Sequence, residues 1–123
     1  MLSNKVRRFN TKSKLNIKLA LVKKINLKKN QQITFVENSK GKIKEYDVVK
    51  KDWGYYATPS INKRLKKFNY ECALIKNNKN KFFLCLINKD MKKKFISYLK
   101  RDNQKLVCWL NIRNLKLIEN LNL

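Results

Sequence analysis

Tyr70-Glu71-Cys72-Ala73-Leu74-Ile75-Lys76 and Lys81-Phe82-Phe83-Leu84-Cys85-Leu86-Ile87-Asn88, separated by Asn77-Asn78-Lys79-Asn80, decide the fold. Two apolar runs of strand length flank a wholly polar turn signal, the pattern of an antiparallel hairpin. If Lys76 pairs with Lys81, Leu74 faces Phe83 and Cys72 faces Cys85. Apolar side chains then fall on both faces, as in strands covered from two sides. That register also allows a Cys72–Cys85 disulfide, although opposed strand cysteines are more often simply packed.

Working outward, Thr58-Pro59-Ser60 is a helix start. Thr58 or Ser60 caps, Pro59 suits the first helical position, and Ile61, Leu65 and Phe68 follow at helical spacing. Before it, Ile33 to Val36 and Ile43 to Val49 form an earlier hairpin around Glu37-Asn38-Ser39-Lys40-Gly41, with Gly41 suited to a positive φ. After Asn88, Asp90 is placed to cap a second helix whose stripe is Met91, Phe95, Tyr98 and Leu99. Lys105 to Leu110 is a last strand, and Ile112 to Leu123 is an apolar-rich tail that suits a short helix. The order ββαββαβ predicts an α+β fold, an antiparallel sheet with two helices on one face. Residues 1–30 are expected to be a basic N-terminal extension and 31–123 a single domain with a short C-terminal tail.

Charge bounds the partners. Thirty-one Lys and Arg oppose eight Asp and Glu, a formal net charge of +23 at pH 7. Self-repulsion of this size disfavours a compact chain, and a phosphate backbone relieves it. Lys outnumbers Arg by 26 to 5 and Asn is abundant, which marks an AT-rich genome. Codon bias does not explain the missing acids, because Glu and Asp also have AT-rich codons. The first thirty residues hold Lys5, Arg7, Arg8, Lys12, Lys14, Lys18, Lys23, Lys24, Lys28 and Lys29 and no acid. Such an arm suits threading among RNA helices; a mitochondrial presequence or a solvated terminus has a similar composition. Within it, Leu15 to Leu27 alternates as a strand does, while Leu15, Leu19 and Val22 also suit a helical face; a strand is expected.

Catalysis has little to use. The chain has no His, its acids are scattered, and Ser39, Ser60 and Ser97 stand in no recognisable nucleophile setting. Cys72, Cys85 and Cys108 lack the close pairing of zinc sites. A non-enzymatic protein without metal or cofactor is expected. Binding has more support: Lys63, Arg64, Lys66 and Lys67 on the first helix, and Lys92, Lys93, Lys94, Lys100 and Arg101 on the second, point away from the apolar stripes. On a common face they form a surface that tracks phosphates without reading sequence. Trp53, Tyr55 and Tyr56 around Gly54, next to Lys50 and Lys51, are suited to stacking on unpaired bases. Packing alone favours the plainer role, plugging the end of the sheet under the first helix.

From about Lys28 to Leu110 the chain resembles a family of short, uncharacterised bacterial proteins often encoded near surface-polysaccharide genes. The specific part is Asp52-Trp53-Gly54-Tyr55-Tyr56-Ala57-Thr58-Pro59-Ser60-Ile61-Asn62-Lys63-Arg64-Leu65; weaker support comes from the runs at 28–35, 72–77 and 108–110. The resemblance implies a compact cytosolic α+β protein and assigns no catalytic residues. This chain differs from the family in its basicity and acid-free N-terminus, which fit a bacterial-type domain recruited to a ribosome. The expected function is RNA binding without catalysis, as a small ribosomal component contacting rRNA and neighbouring ribosomal proteins, in the cytoplasm or mitochondrial matrix. The alternative is a free-standing cytosolic accessory protein of a surface-polysaccharide pathway.

Overall fold

The computed structural model describes residues 19–123. The fold is α+β, and the chain forms two compact units that divide between Thr58 and Pro59. The division falls inside the stretch read from sequence as one domain. Among the described residues, no helix is long and apolar enough to cross a membrane.

Unit one is an antiparallel meander of β1 (Gln32–Ser39), β2 (Lys42–Lys51) and β3 (Gly54–Ala57) in the order β1-β2-β3. The β1–β2 turn is two residues long, with Lys40 and Gly41 both at positive φ (53° and 79°). Mirror-image turns of this kind match the right-handed twist of the flanking strands. The first hairpin is therefore where the sequence places it, with longer strands. β3 went unforeseen: Asp52 and Trp53 make a second tight turn, after which Tyr55 pairs with Lys50 and Tyr56 with Val49. The strand expected over Leu15–Leu27 is absent from residues 19–27, which are irregular; its first part lies outside the described residues.

Asp47 is 3 % exposed at the middle of β2. Its Oδ1 accepts a 2.6 Å hydrogen bond from the Thr34 hydroxyl, and its Oδ2 a 3.4 Å bond from Thr58. Thr58, expected to cap the first helix, is thus a partner of Asp47. Replacing Asp47 by Ala strands two hydroxyl donors and should cost unit one about 1–3 kcal/mol, read as a lower urea midpoint at unchanged slope.

Unit two carries a second sheet, β4 (Tyr70–Lys76), β5 (Phe82–Asn88) and β6 (Lys105–Trp109), in the order β5-β4-β6. The expectation of one sheet is corrected to two, because a period-2 pattern shows that a strand exists but not its neighbours. The first predicted helix shrinks to a single turn, α1 (Arg64–Lys67), whose Arg64 N–H donates to the Ser60 hydroxyl at 3.2 Å. Asp90 does not stand at the N-cap of the second helix, which is Met91. It sits in a 3-10 turn, Lys89–Met91, and α2 (Lys92–Arg101) begins after it. The C-terminal tail is helical, α3 (Ile112–Asn120), and Asn111 caps it by accepting from the Asn114 N–H at 2.9 Å.

The register of the deciding hairpin is one residue away from the expected one. Lys76 pairs with Phe82, Ala73 with Cys85 and Cys72 with Leu86. The loop takes in Lys81 because the Asn77 side chain accepts from the Lys79 and Lys81 N–H groups, both at 3.0 Å, while Asn80 turns at φ 62°. A one-residue slip moves side chains to the other face. Cys72 and Cys85 consequently lie on alternate faces, and all three cysteines are free thiols. α2 covers the face bearing Ala73, Ile75 and Ile87, and its Leu99 completes the core with Phe95, Tyr98, Leu106 and Trp109 around it.

Just past the C-cap of α1, α2 and α3 stands an asparagine at positive φ: Asn69, Asn103 and Asn122. After α2 the Gln104 N–H donates to the Leu99 carbonyl at 2.8 Å and Asn103 N–H to Lys100 at 3.4 Å, the paired bonds of a Schellman stop. In a chain with two glycines, asparagine takes the left-handed positions that glycine usually fills.

Candidate nucleic-acid interface

The β2–β3 hairpin exposes the aromatic cluster that the sequence singles out. Trp53 is 71 % exposed, Tyr55 60 % and Tyr56 43 %. This runs against the plainer expectation, that they plug the end of the sheet under the first helix: all three rings are exposed, and a two-residue turn puts Trp53 at the hairpin tip. Trp53 and Tyr56 stack on each other, with centroids 5.9 Å apart and planes at 24°. Tyr55 points to the other face, paired across the strands with Lys50, whose Nζ lies 4.8 Å from the ring centroid. Register places Phe35, opposite Tyr46, on this same face, and Phe35 is also exposed. Aromatic rings thus project from both faces of the hairpin, with a lysine beside one of them, and exposed rings of this kind are surfaces on which bases can stack.

The root of the basic extension is fastened to this hairpin. Lys29 Nζ lies 3.0 Å from the Asp52 carboxylate in the turn, and Lys51 Nζ donates to the Asn30 side chain at 2.8 Å. Backbone bonds complete the attachment, Asn30 N–H to Lys50 O at 2.8 Å and Lys50 N–H to Gln31 O at 3.0 Å. Lys28 and Lys29 are therefore held beside the aromatic tip, and Lys23 and Lys24 are exposed on the same segment. Lys5, Arg7, Arg8, Lys12, Lys14 and Lys18 lie outside the described residues.

The helix lysines belong to unit two. Lys63, Lys66 and Lys67 are exposed and Arg64 is half-buried; on α2, Lys93, Lys94, Lys100 and Arg101 are exposed. Lys93 and Lys94 stand in the first turn of α2, the electropositive end, where further cations are unfavourable unless an anion approaches. Lys92 has a structural task instead. Its Nζ is 2.7 Å from Glu71 and 4.5 Å above the Trp109 ring.

Sequence reasoning missed three participants: Lys50 as the cation over Tyr55, Phe35 as an exposed ring, and Asp52 as the anchor of the extension. Lys50-Lys51-Asp52-Trp53-Gly54 held the signal, since a tight turn before Gly54 (φ 138°) pairs Lys50 with Tyr55. Cys72 and Cys85 lie elsewhere, on β4 and β5. Burial pushes both thiols above their ordinary 9.0, and the nearby Cys85 raises Cys72 further.

Compared with models of known protein families, with curated proteins and with solved structures, the chain matches none.

Proposed function

We propose that this is a non-enzymatic RNA-binding protein, and more narrowly a small structural component of a ribosome that contacts rRNA phosphates. One observation carries the reading: an exposed aromatic hairpin has the root of an acid-free basic extension fixed beside it. Rings supply stacking surface to unpaired bases, and the lysines supply the charge that tracks the backbone. Lysine predominance favours phosphate contact over base reading. Burial pushes the Cys72 and Cys85 thiols up, away from the nucleophilic thiolate, and the chain has no His to serve as a base near neutral pH, both of which favour a non-enzymatic role.

The test is the salt dependence of binding between the full chain and an unstructured single-stranded RNA. Affinity should fall linearly on a log–log plot against salt. Replacing Lys23, Lys24, Lys28 and Lys29 by Gln should flatten the slope by about 3, from roughly 0.7 per released counterion. Binding that ignores salt, or a slope untouched by the four substitutions, would remove the extension from the interface. Failure to bind RNA at all would leave the free-standing accessory protein of a polysaccharide pathway as the better reading.

A further inference from the structure

Unit two holds a cavity of about 410 Å³, in the size range of small-molecule sites. The start of β4 and the end of β6 form its floor, with residues on either side of α1 and the segment leading into α3 forming its walls. Its lining combines an aromatic and aliphatic wall, Trp109 and Ile112, with two lysines from separate elements, Lys66 and Lys89, and the amide of Asn62. We propose that this cavity receives one nucleotide, with the phosphate against Lys66 and Lys89, the ring against Trp109 and the base edge within reach of Asn62. The proposal rests on the RNA-binding reading for the source of that nucleotide, an unstacked residue of the bound strand.

Three features favour this ligand. Glu71 is the acid in the lining, and Lys92 neutralises it at 2.7 Å, so the two lysines set the sign of the site. The indole is fixed before any ligand arrives: Lys92 lies over it at 4.5 Å, and Phe95 packs against it with centroids 5.9 Å apart. The rim after it is fixed too, since the Asn114 side chain donates to the Trp109 carbonyl at 2.6 Å while Asn111 caps α3. A preorganised ring beside two cations suits a planar base joined to a phosphate; a sugar phosphate without a base would leave the indole unused.

The chain has two tryptophans, so NMR of the full-length protein reports the site directly. The indole N–H signal of Trp53 is assigned by its loss in Trp53→Phe, and the other belongs to Trp109. Titration with the four nucleoside 5′-monophosphates should shift the Trp109 signal saturably for at least one of them, and inorganic phosphate should not reproduce the shift. Lys66→Gln and Lys89→Gln should each weaken that binding about tenfold, as loss of a charge-assisted contact predicts, with the fold unchanged by circular dichroism. Displacement of the nucleotide by single-stranded RNA would place an RNA residue in the cavity. Saturable binding without displacement would keep the nucleotide site and make a free nucleotide its ligand. No saturable shift with any monophosphate, in a chain that still binds RNA, would overturn the cavity proposal alone; no binding of either would overturn the RNA reading as well.

Discussion

Alanine at Trp53 and Tyr55 is expected to weaken binding of the full chain to unstructured single-stranded RNA by about 5- to 150-fold for each base that loses its stack. Both rings are exposed, so the substitutions should change stability by no more than about 0.5 kcal/mol, and thermal unfolding serves as the control. The two positions should combine nearly additively, because they serve different faces of the hairpin. Trp53 and Tyr56 should not, since they already stack on each other and removing one frees the other to move. Tyr55→Phe should retain most of the affinity, because Lys50 sits over the ring and not the hydroxyl. Fluorescence anisotropy with a labelled oligonucleotide reads each single and double variant. Unchanged affinity in the Trp53→Ala, Tyr55→Ala double variant would leave phosphate attraction as the whole of binding.

Leu99→Ala should destabilise unit two by about 2–5 kcal/mol, a large share of the roughly 5–15 kcal/mol that holds a typical domain together. Leu99 is 3 % exposed, and its neighbours in the core are Ala73, Ile75 and Ile87. Ala73 is itself fully covered at the centre of the sheet and offers no atoms to fill the void. The change also weakens the docking of α2, whose first-turn lysines gain nothing from the helix dipole. Val107→Ala is the comparison. Val107 is the extra residue where pairing shifts between Leu74 and Ile75, and it is partly exposed, so its loss should stay within about 0.5 kcal/mol. Urea denaturation followed by far-UV circular dichroism measures both.

The sequence made the element types legible where the polar turns are strong and apolar spacing is regular, as in the two predicted hairpins and in α2. Partnership was not legible. Nothing in a strand's alternation distinguishes one six-stranded sheet from two three-stranded ones, and β3 is only four residues long. Register failed for a chemical reason: an asparagine side chain gathering two N–H groups lengthens the 77–81 loop by one residue, which no periodicity records. Asparagine itself was underread. Abundance pointed to codon bias, yet Asn30, Asn69, Asn80, Asn103 and Asn122 all occupy left-handed turn or helix-stop positions. In the candidate interface, Trp53, Tyr55 and Tyr56 were visible as residue types. Their exposure was not, because it follows from a tight turn at Asp52 and Trp53 that places the rings on a hairpin and its tip.

Sedimentation of the full chain from cell lysate through sucrose gradients at low and high salt tests the central claim most directly. Co-migration with ribosomal subunits that survives moderate salt is the predicted result. A protein that stays at the top of the gradient at every salt concentration would contradict it.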